Sequence, residues 1–254
     1  MKIEETAMAR PPAKSGPRGR SALKVRVRTA RGRKLSSTRW LQRQLNDPYV
    51  EEARRQGFRS RAAFKLLELD EKFGLLKGVQ RVVDLGAAPG GWTQVLAQRH
   101  AKSGWKDTKI VGIDILPMEP ITGAELIEMD FLDPDAPDRL KALLNGEAQL
   151  VLSDMAAPTT GHKQTDHLRT MGLCEAALDF AMDVLADGGV FVAKVLRGGT
   201  EGELLQRMKE NFAKVRHSKP PASRPESVEW YVIATGFQGR SKSHSPRMEP
   251  PEPD

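Results

Sequence analysis

The sequence has a single cysteine, Cys174, in 254 residues. No intramolecular disulfide can form, and a cysteine-based metal site is disfavoured. A chain of this kind suits a reducing compartment. No run approaches the roughly 20 apolar residues of a membrane helix. The opening MKIEETAMARPPAKSGPRGR also lacks the apolar stretch of a secretory signal. A soluble, cytoplasmic protein is therefore expected. Internal repeats are absent. Hydrophobic content of 39% allows a packed core but is somewhat low, so part of the chain is expected to stay unfolded.

Charge is present in excess but unevenly. Met1 to Lys65 carries 18 Lys/Arg against 5 Asp/Glu, or +13; with a total of +7, Leu66 to Asp254 must carry −6. A basic front on a mildly acidic body implies a polyanionic partner, with nucleic acid the leading candidate. Residues 1–34 are rich in Arg, Lys, Pro, Gly and Ala and read as a disordered basic extension. From 35 to 75 the spacing is helical and reads as an RNA-binding segment. It is interrupted at Asp47-Pro48 and resumes from about Arg61 to Phe73, with Ser60 as the expected N-cap. Residues 238–254 read as a disordered tail.

Between these lies an α/β pattern. Strands are expected at Arg81–Leu85, Lys109–Asp114, Glu125–Asp130, Gln149–Asp154 and Gly189–Leu196, with helices between most of them, the longest from about Asp166 to Leu185. Apolar strands alternating with helices predict a parallel sheet covered on both faces. The final pair, Lys214–Ser218 and Val228–Gly236, is separated by only about nine residues, three of them proline. A parallel crossover needs about a dozen or more, so an antiparallel hairpin is expected there.

The stretch VVDLGAAPGGWTQV, from Val82 to Val95, reads as a strand, a tight turn and a helix start. Gly86, Gly90 and Gly91 allow a sharp turn and close ligand approach, and Pro89 stiffens it. In open α/β sheets ligands lie beyond the carboxyl ends of the strands. Asp84, Asp114, Asp130 and Asp154 fall in or at the ends of the first four strands, and Glu229 begins the last. A dinucleotide site would prefer G-x-G-x-x-G; here Ala88 and Pro89 replace the second glycine and its neighbour, which weakens an NAD-type reading. The histidines at 162 and 167 are too few for a metal site, and no metal is expected.

Taken together, VVDLGAAPGGWTQV, GIDILPM, MDFLD, LSDMAAPTTGHKQTDH, VAKVLRGG and EWYVIATGF resemble the FtsJ/RrmJ-type (RlmE) ribosomal RNA methyltransferases, as does RSRAAFKLLELDEKFGLL upstream. The resemblance spans about Asp47 to Phe237. It implies a class I S-adenosylmethionine-dependent methyltransferase (Rossmann-like) fold, a mostly parallel doubly wound sheet ending in an antiparallel hairpin, within a methyltransferase domain of residues 35–237. It also implies 2′-O-ribose methylation of a uridine in 23S rRNA, on the 50S subunit or a late assembly intermediate. Carried over by motif, Gly90, Trp92, Asp114, Asp130 and Asp154 hold S-adenosylmethionine, and Lys65, Asp154, Lys194 and Glu229 form the catalytic set. This sequence has DMAAP where DMAPN is common in the family, which bears on the loop after Asp154.

The chemistry accounts for these residue types. A ribose 2′-hydroxyl must lose its proton as it attacks an aligned methyl group. Lys194 interrupts an apolar strand, where burial and a neighbouring Lys65 favour the free amine while Asp154 and Glu229 oppose this. According to that balance Lys194 either accepts the proton or only steers the hydroxyl; it is expected to be the base, with Asp154 orienting it and Lys65 and Glu229 holding the ribose. Two other readings stand beside this one: a non-catalytic rRNA-binding assembly factor, and a 2′-O-methyltransferase acting on tRNA. A monomer is expected.

Overall fold

The computed structural model describes residues 35–104, 108–158, 160–196 and 202–239. The expected basic extension 1–34, and the expected tail from residue 240 onward, lie outside the described residues. The chain falls into two units, Met1–Glu51 and Glu52–Asp254. The boundary between them cuts the 35–75 segment inside its second helix. The first unit holds α1 (Leu35–Leu45) and the start of α2 (Pro48–Gln56). The break falls at Asp47-Pro48 because proline opens α2, where its missing N–H costs nothing. The Asp47 carboxylate accepts the Tyr49 N–H at 3.1 Å.

The second unit is built on one seven-stranded sheet. After α3 (Ala62–Phe73) come β1 (Arg81–Leu85), α4 (Gly91–Ser103), β2 (Lys109–Asp114), β3 (Glu125–Glu128), α5 (Ala136–Leu144) and β4 (Ala148–Ser153). Then follow α6 (Lys163–Val184), β5 (Leu185–Leu196), α7 (Gly202–Asn211), β6 (Phe212–Ser218) and β7 (Glu229–Phe237). The strand order is β3-β2-β1-β4-β5-β7-β6. β7 is antiparallel to both β5 and β6, and the other described pairings are parallel. The hairpin expected from loop length is therefore present. β5 starts four residues earlier than expected because it continues directly from α6.

Period-two alternation divides the core into two layers. Val83, Leu85, Val151, Phe191, Ala193, Val232 and Ala234 pack with α5, α6 and α7. Val82, Leu150, Leu152, Val192, Tyr231 and Ile233 pack on the other face with α3 and α4. Ser60 does not cap α3. Arg61 occupies the N-cap position in helical conformation without a side-chain bond. The Ser60 hydroxyl is buried without a hydrogen-bond partner among the described residues, where a Cβ on Gly91 would come within 2.4 Å of it. α6 begins at Lys163, capped by His162, whose ring accepts the Thr165 N–H. The Asp166 carboxylate also gathers the N–H groups of Thr160 and Gly161, so the loop before α6 is tied to its first turn. Among the described residues no helix is long and apolar enough to cross a membrane.

Candidate active site

The alternation that packs α3 and α4 on the sheet also aims polar groups at one place. Lys194 has the parity of Val192, and Glu229 that of Tyr231 and Ile233, so both share the α3/α4 face. Lys194 lies directly across the ladder from Tyr231, and Leu196 across from Glu229. Because β7 runs antiparallel, its first residue lies at the carboxyl end of β5. Without the hairpin, Glu229 would be at the far edge of the sheet. Asp154 follows β4, its N–H held by the Leu85 carbonyl at 3.0 Å. Lys65 reaches down from α3.

Lys65, Asp154, Lys194 and Glu229 are thereby brought together. Lys65 Nζ is 2.7 Å from Glu229 Oε1, and Lys194 Nζ is 3.1 Å from Asp154 Oδ1. Lys194 also donates to the Asp154 carbonyl. Between these two ion pairs stands the Tyr231 hydroxyl. It donates to Asp154 Oδ1 at 2.6 Å and accepts from Lys65 Nζ at 3.1 Å. Glu229 Oε1 lies 3.3 Å away and takes a 3.0 Å bond from Ser223 Oγ. Lys194 is 8% exposed and Tyr231 fully buried.

The electrostatics follow from that burial. On its own burial would raise the Asp154 carboxyl, but the charges of Lys194 and Lys65 and the hydrogen bonds from Tyr231 and Lys194 hold it below the usual range. Tyr231 is pushed well above a normal phenol by burial and then by the negative charges of Asp154 and Glu229. It therefore remains a neutral donor. Replacing Tyr231 with Phe keeps the ring against Trp92, whose centroid is 5.7 Å away, and removes only this bridge. Hydrogen bonds to charged groups contribute about 1.5–3 kcal/mol. The variant is expected to lose about that much stability, as a lower urea midpoint with an unchanged m-value. An unchanged midpoint would show that the bridge contributes nothing.

The glycine turn lies at the ends of β1 and β2. Gly86 and Ala87 donate their N–H groups to the Ile113 carbonyl at 2.9 and 3.1 Å. The spaces beside the glycines are filled by the protein itself. A Cβ on Gly86 would meet the Met155 backbone at 2.9 Å; one on Gly90, where φ is 104°, would meet Ile121 at 2.8 Å. These glycines serve packing between distant segments rather than open ligand access at those points. Asp114 accepts the N–H groups of Ala88 and Leu116, each at 2.9 Å, and Asp130 that of Leu132 at 2.9 Å. Trp92 is buried, with its indole N–H on the Ala62 carbonyl at 2.8 Å.

A ligand with ribose hydroxyls, a flat apolar ring and an amino-acid end fits the remaining groups. Each Asp114 oxygen keeps a second lone pair for a hydroxyl. Leu116 and Leu132, just past Asp114 and Asp130, are exposed apolar side chains. Asp84 Oδ1 is buried without a hydrogen-bond partner among the described residues, and the backbone around Trp92 opens α4. Among the described residues no group of three or more His, Cys, Asp or Glu is placed to hold a metal ion.

Sequence reasoning overlooked Tyr231, Ser223 and Arg59, and it placed Asp84 at a strand end without a role of its own. EWY contained the first of these, but a tyrosine inside an apolar strand reads as core. Ser223 lies in the proline-rich loop 219–228, and nothing in the composition of that loop announces that this serine is buried.

This strand order, with β7 reversed, is that of the class I methyltransferase fold. The profile of the FtsJ-like methyltransferases matches residues 58–237. The chain belongs to that family. A protein of Novosphingobium aromaticivorans named ribosomal RNA large subunit methyltransferase E is 63% identical over 215 residues, 85% of this chain and 95% of the relative. A protein of the same name from Rhodospirillum rubrum is 64% identical over 227 residues, 89% and 86% of the two chains. A solved Plasmodium falciparum structure, assigned as a ribosomal RNA methyltransferase, is 33% identical with a TM-score of 0.64. It covers 72% of this chain and 100% of its own.

Proposed function

We propose that the protein methylates the 2′-hydroxyl of a uridine ribose in 23S rRNA, within the 50S subunit or a late assembly intermediate in the cytoplasm. The observation that carries the reading is the convergence of Lys65, Asp154, Lys194 and Glu229 on the Tyr231 hydroxyl, beside the glycine turn. The names of the relatives support large-subunit rRNA as the substrate. S-adenosylmethionine, when bound, supplies an electrophilic methyl group. Gly90, Trp92, Asp114, Asp130 and Asp154 would hold it, the first two by shaping the turn and the start of α4 and the carboxylates through hydrogen bonds.

The remaining steps belong to the protein. Lys65 and Glu229 hold the target ribose. Lys194, as the amine, accepts the hydroxyl proton, and Asp154 orients it through its side-chain and carbonyl oxygens. Tyr231 keeps the two pairs at fixed separation.

The test incubates the protein with radiolabelled S-adenosylmethionine and 50S subunits from a strain lacking the enzyme, with naked 23S rRNA and bulk tRNA alongside. Label at a ribose 2′-oxygen of a 23S uridine, strongest in 50S subunits, is the expected result. Label confined to tRNA would overturn the substrate. Absence of label in any RNA, with cofactor bound, would favour an rRNA-binding assembly factor.

A further inference from the structure

Arg59 lies just before α3, in the basic front that composition assigns to RNA. Its guanidinium is turned toward the protein. Nη1 donates to the carbonyls of Pro89 at 3.3 Å and Glu119 at 2.6 Å, and Nη2 donates to that of Pro120 at 2.8 Å. Pro89 belongs to the glycine turn; Glu119 and Pro120 belong to the loop after β2. These two segments flank Asp114, whose carboxylate also holds the turn through Ala88. Three carbonyl dipoles that would repel one another thus converge on one delocalised cation.

Arg59 is itself fixed from behind. Its N–H donates to Gln94 Oε1 at 2.7 Å, and Gln94 Nε2 donates to the Gly57 carbonyl at 3.2 Å. Gln94 is in the first turn of α4, the helix that the glycine turn opens. Phe58, the residue before Arg59, is buried against Phe64 of α3, with ring centroids 5.7 Å apart. A Cβ on Gly90 would come within 3.0 Å of the Arg59 guanidinium, so the turn closes directly onto this side chain.

We propose that Arg59 is a positioning residue for the cofactor loops and not a phosphate contact. It ties the turn at 89–90 to the loop at 119–120 and so sets the width of the crevice at Asp114. This rests on the reading that S-adenosylmethionine occupies that crevice.

Two variants separate the alternatives. Arg59→Met removes all three bonds. Arg59→Lys keeps the positive charge, and hence any phosphate contact, but an ammonium lacks the planar fork that spans both loops. By calorimetry, Arg59→Met is expected to weaken S-adenosylhomocysteine binding about tenfold or more, and Arg59→Lys by several-fold, roughly the loss of one or two charged hydrogen bonds. RNA affinity should keep its salt slope in both, and saturating S-adenosylmethionine should restore turnover, because the effect falls on KM and not on kcat. Parent-like S-adenosylhomocysteine binding in both variants, or a salt slope lowered by about one in Arg59→Met with cofactor binding intact, would overturn the proposal. A parent protein that binds no S-adenosylhomocysteine would remove the cofactor reading itself, and this one with it.

Discussion

Replacing Lys194 with methionine is expected to slow methyl transfer by about 10²–10⁴-fold, the usual contribution of a positioned acid or base, or about 3–5 kcal/mol of barrier. S-adenosylhomocysteine binding should survive. Methionine fills the volume left by the lysine stem, so the sheet contact with Tyr231 is kept. What is lost is the Nζ facing Asp154 Oδ1 and the Asp154 carbonyl. Arginine at the same position restores the charge opposite Asp154 but cannot act as a base in a protein. If Lys194 takes the proton, both variants are slow in single turnover. If it only steers the hydroxyl, Lys194→Arg recovers a large part of the rate while Lys194→Met does not. A parent-like rate in Lys194→Met would remove the residue from the mechanism.

The four converging residues were named through the family resemblance, motif by motif, and two of them also carry a local signal. Lys194 is a charge inside VFVAKVL, and Asp154 ends an apolar run; each departs from its strand's pattern within a few residues. The hairpin was legible for a similar reason, since nine residues cannot carry a parallel crossover. The purpose of the glycines was not legible. Gly86 answers to Met155, Gly90 to Ile121 and Arg59, and Gly91 to Ser60, and each partner is some 30 to 70 positions away in the chain. Arg59 looked like one more basic residue in a basic segment because the carbonyls it binds belong to backbone, which has no signature in sequence. Tyr231 became the centre of the site only through register, which places it opposite Lys194.

Asp84 shows the largest effect that register conceals. It lies in β1 on the α3/α4 face, fully buried, with Oδ2 accepting the Thr93 hydroxyl at 2.7 Å and Oδ1 without a hydrogen-bond partner among the described residues. Burial, and then the charges of Asp154 and Asp114, push its carboxyl from an ordinary 3.8 to about 7, although the Thr93 bond pulls the other way. The sign of the consequence follows from linkage. Below about pH 4 the group is protonated in both folded and unfolded chains. Between about 4 and 7 the unfolded chain ionises and the folded one does not, so stability falls as pH rises, by at most about 4 kcal/mol at 1.36 kcal/mol per pH unit. Asp154 obeys the opposite law: its lowered carboxyl adds stability that is present at neutral pH and lost as acid protonates it. Asp84→Asn imitates the neutral acid. Its amide oxygen accepts from Thr93, and its NH₂ takes the place of the unpartnered side. The variant without ligand is expected to gain stability relative to the parent as pH rises from 4 to 7 and to hold that gain above 7, read as diverging urea midpoints. Midpoints that stay parallel across this range would mean that Asp84 is ionised in the folded protein. Three carboxylates at the ends of neighbouring strands would then all be charged, against the rule that a buried acid beside ionised ones keeps its proton.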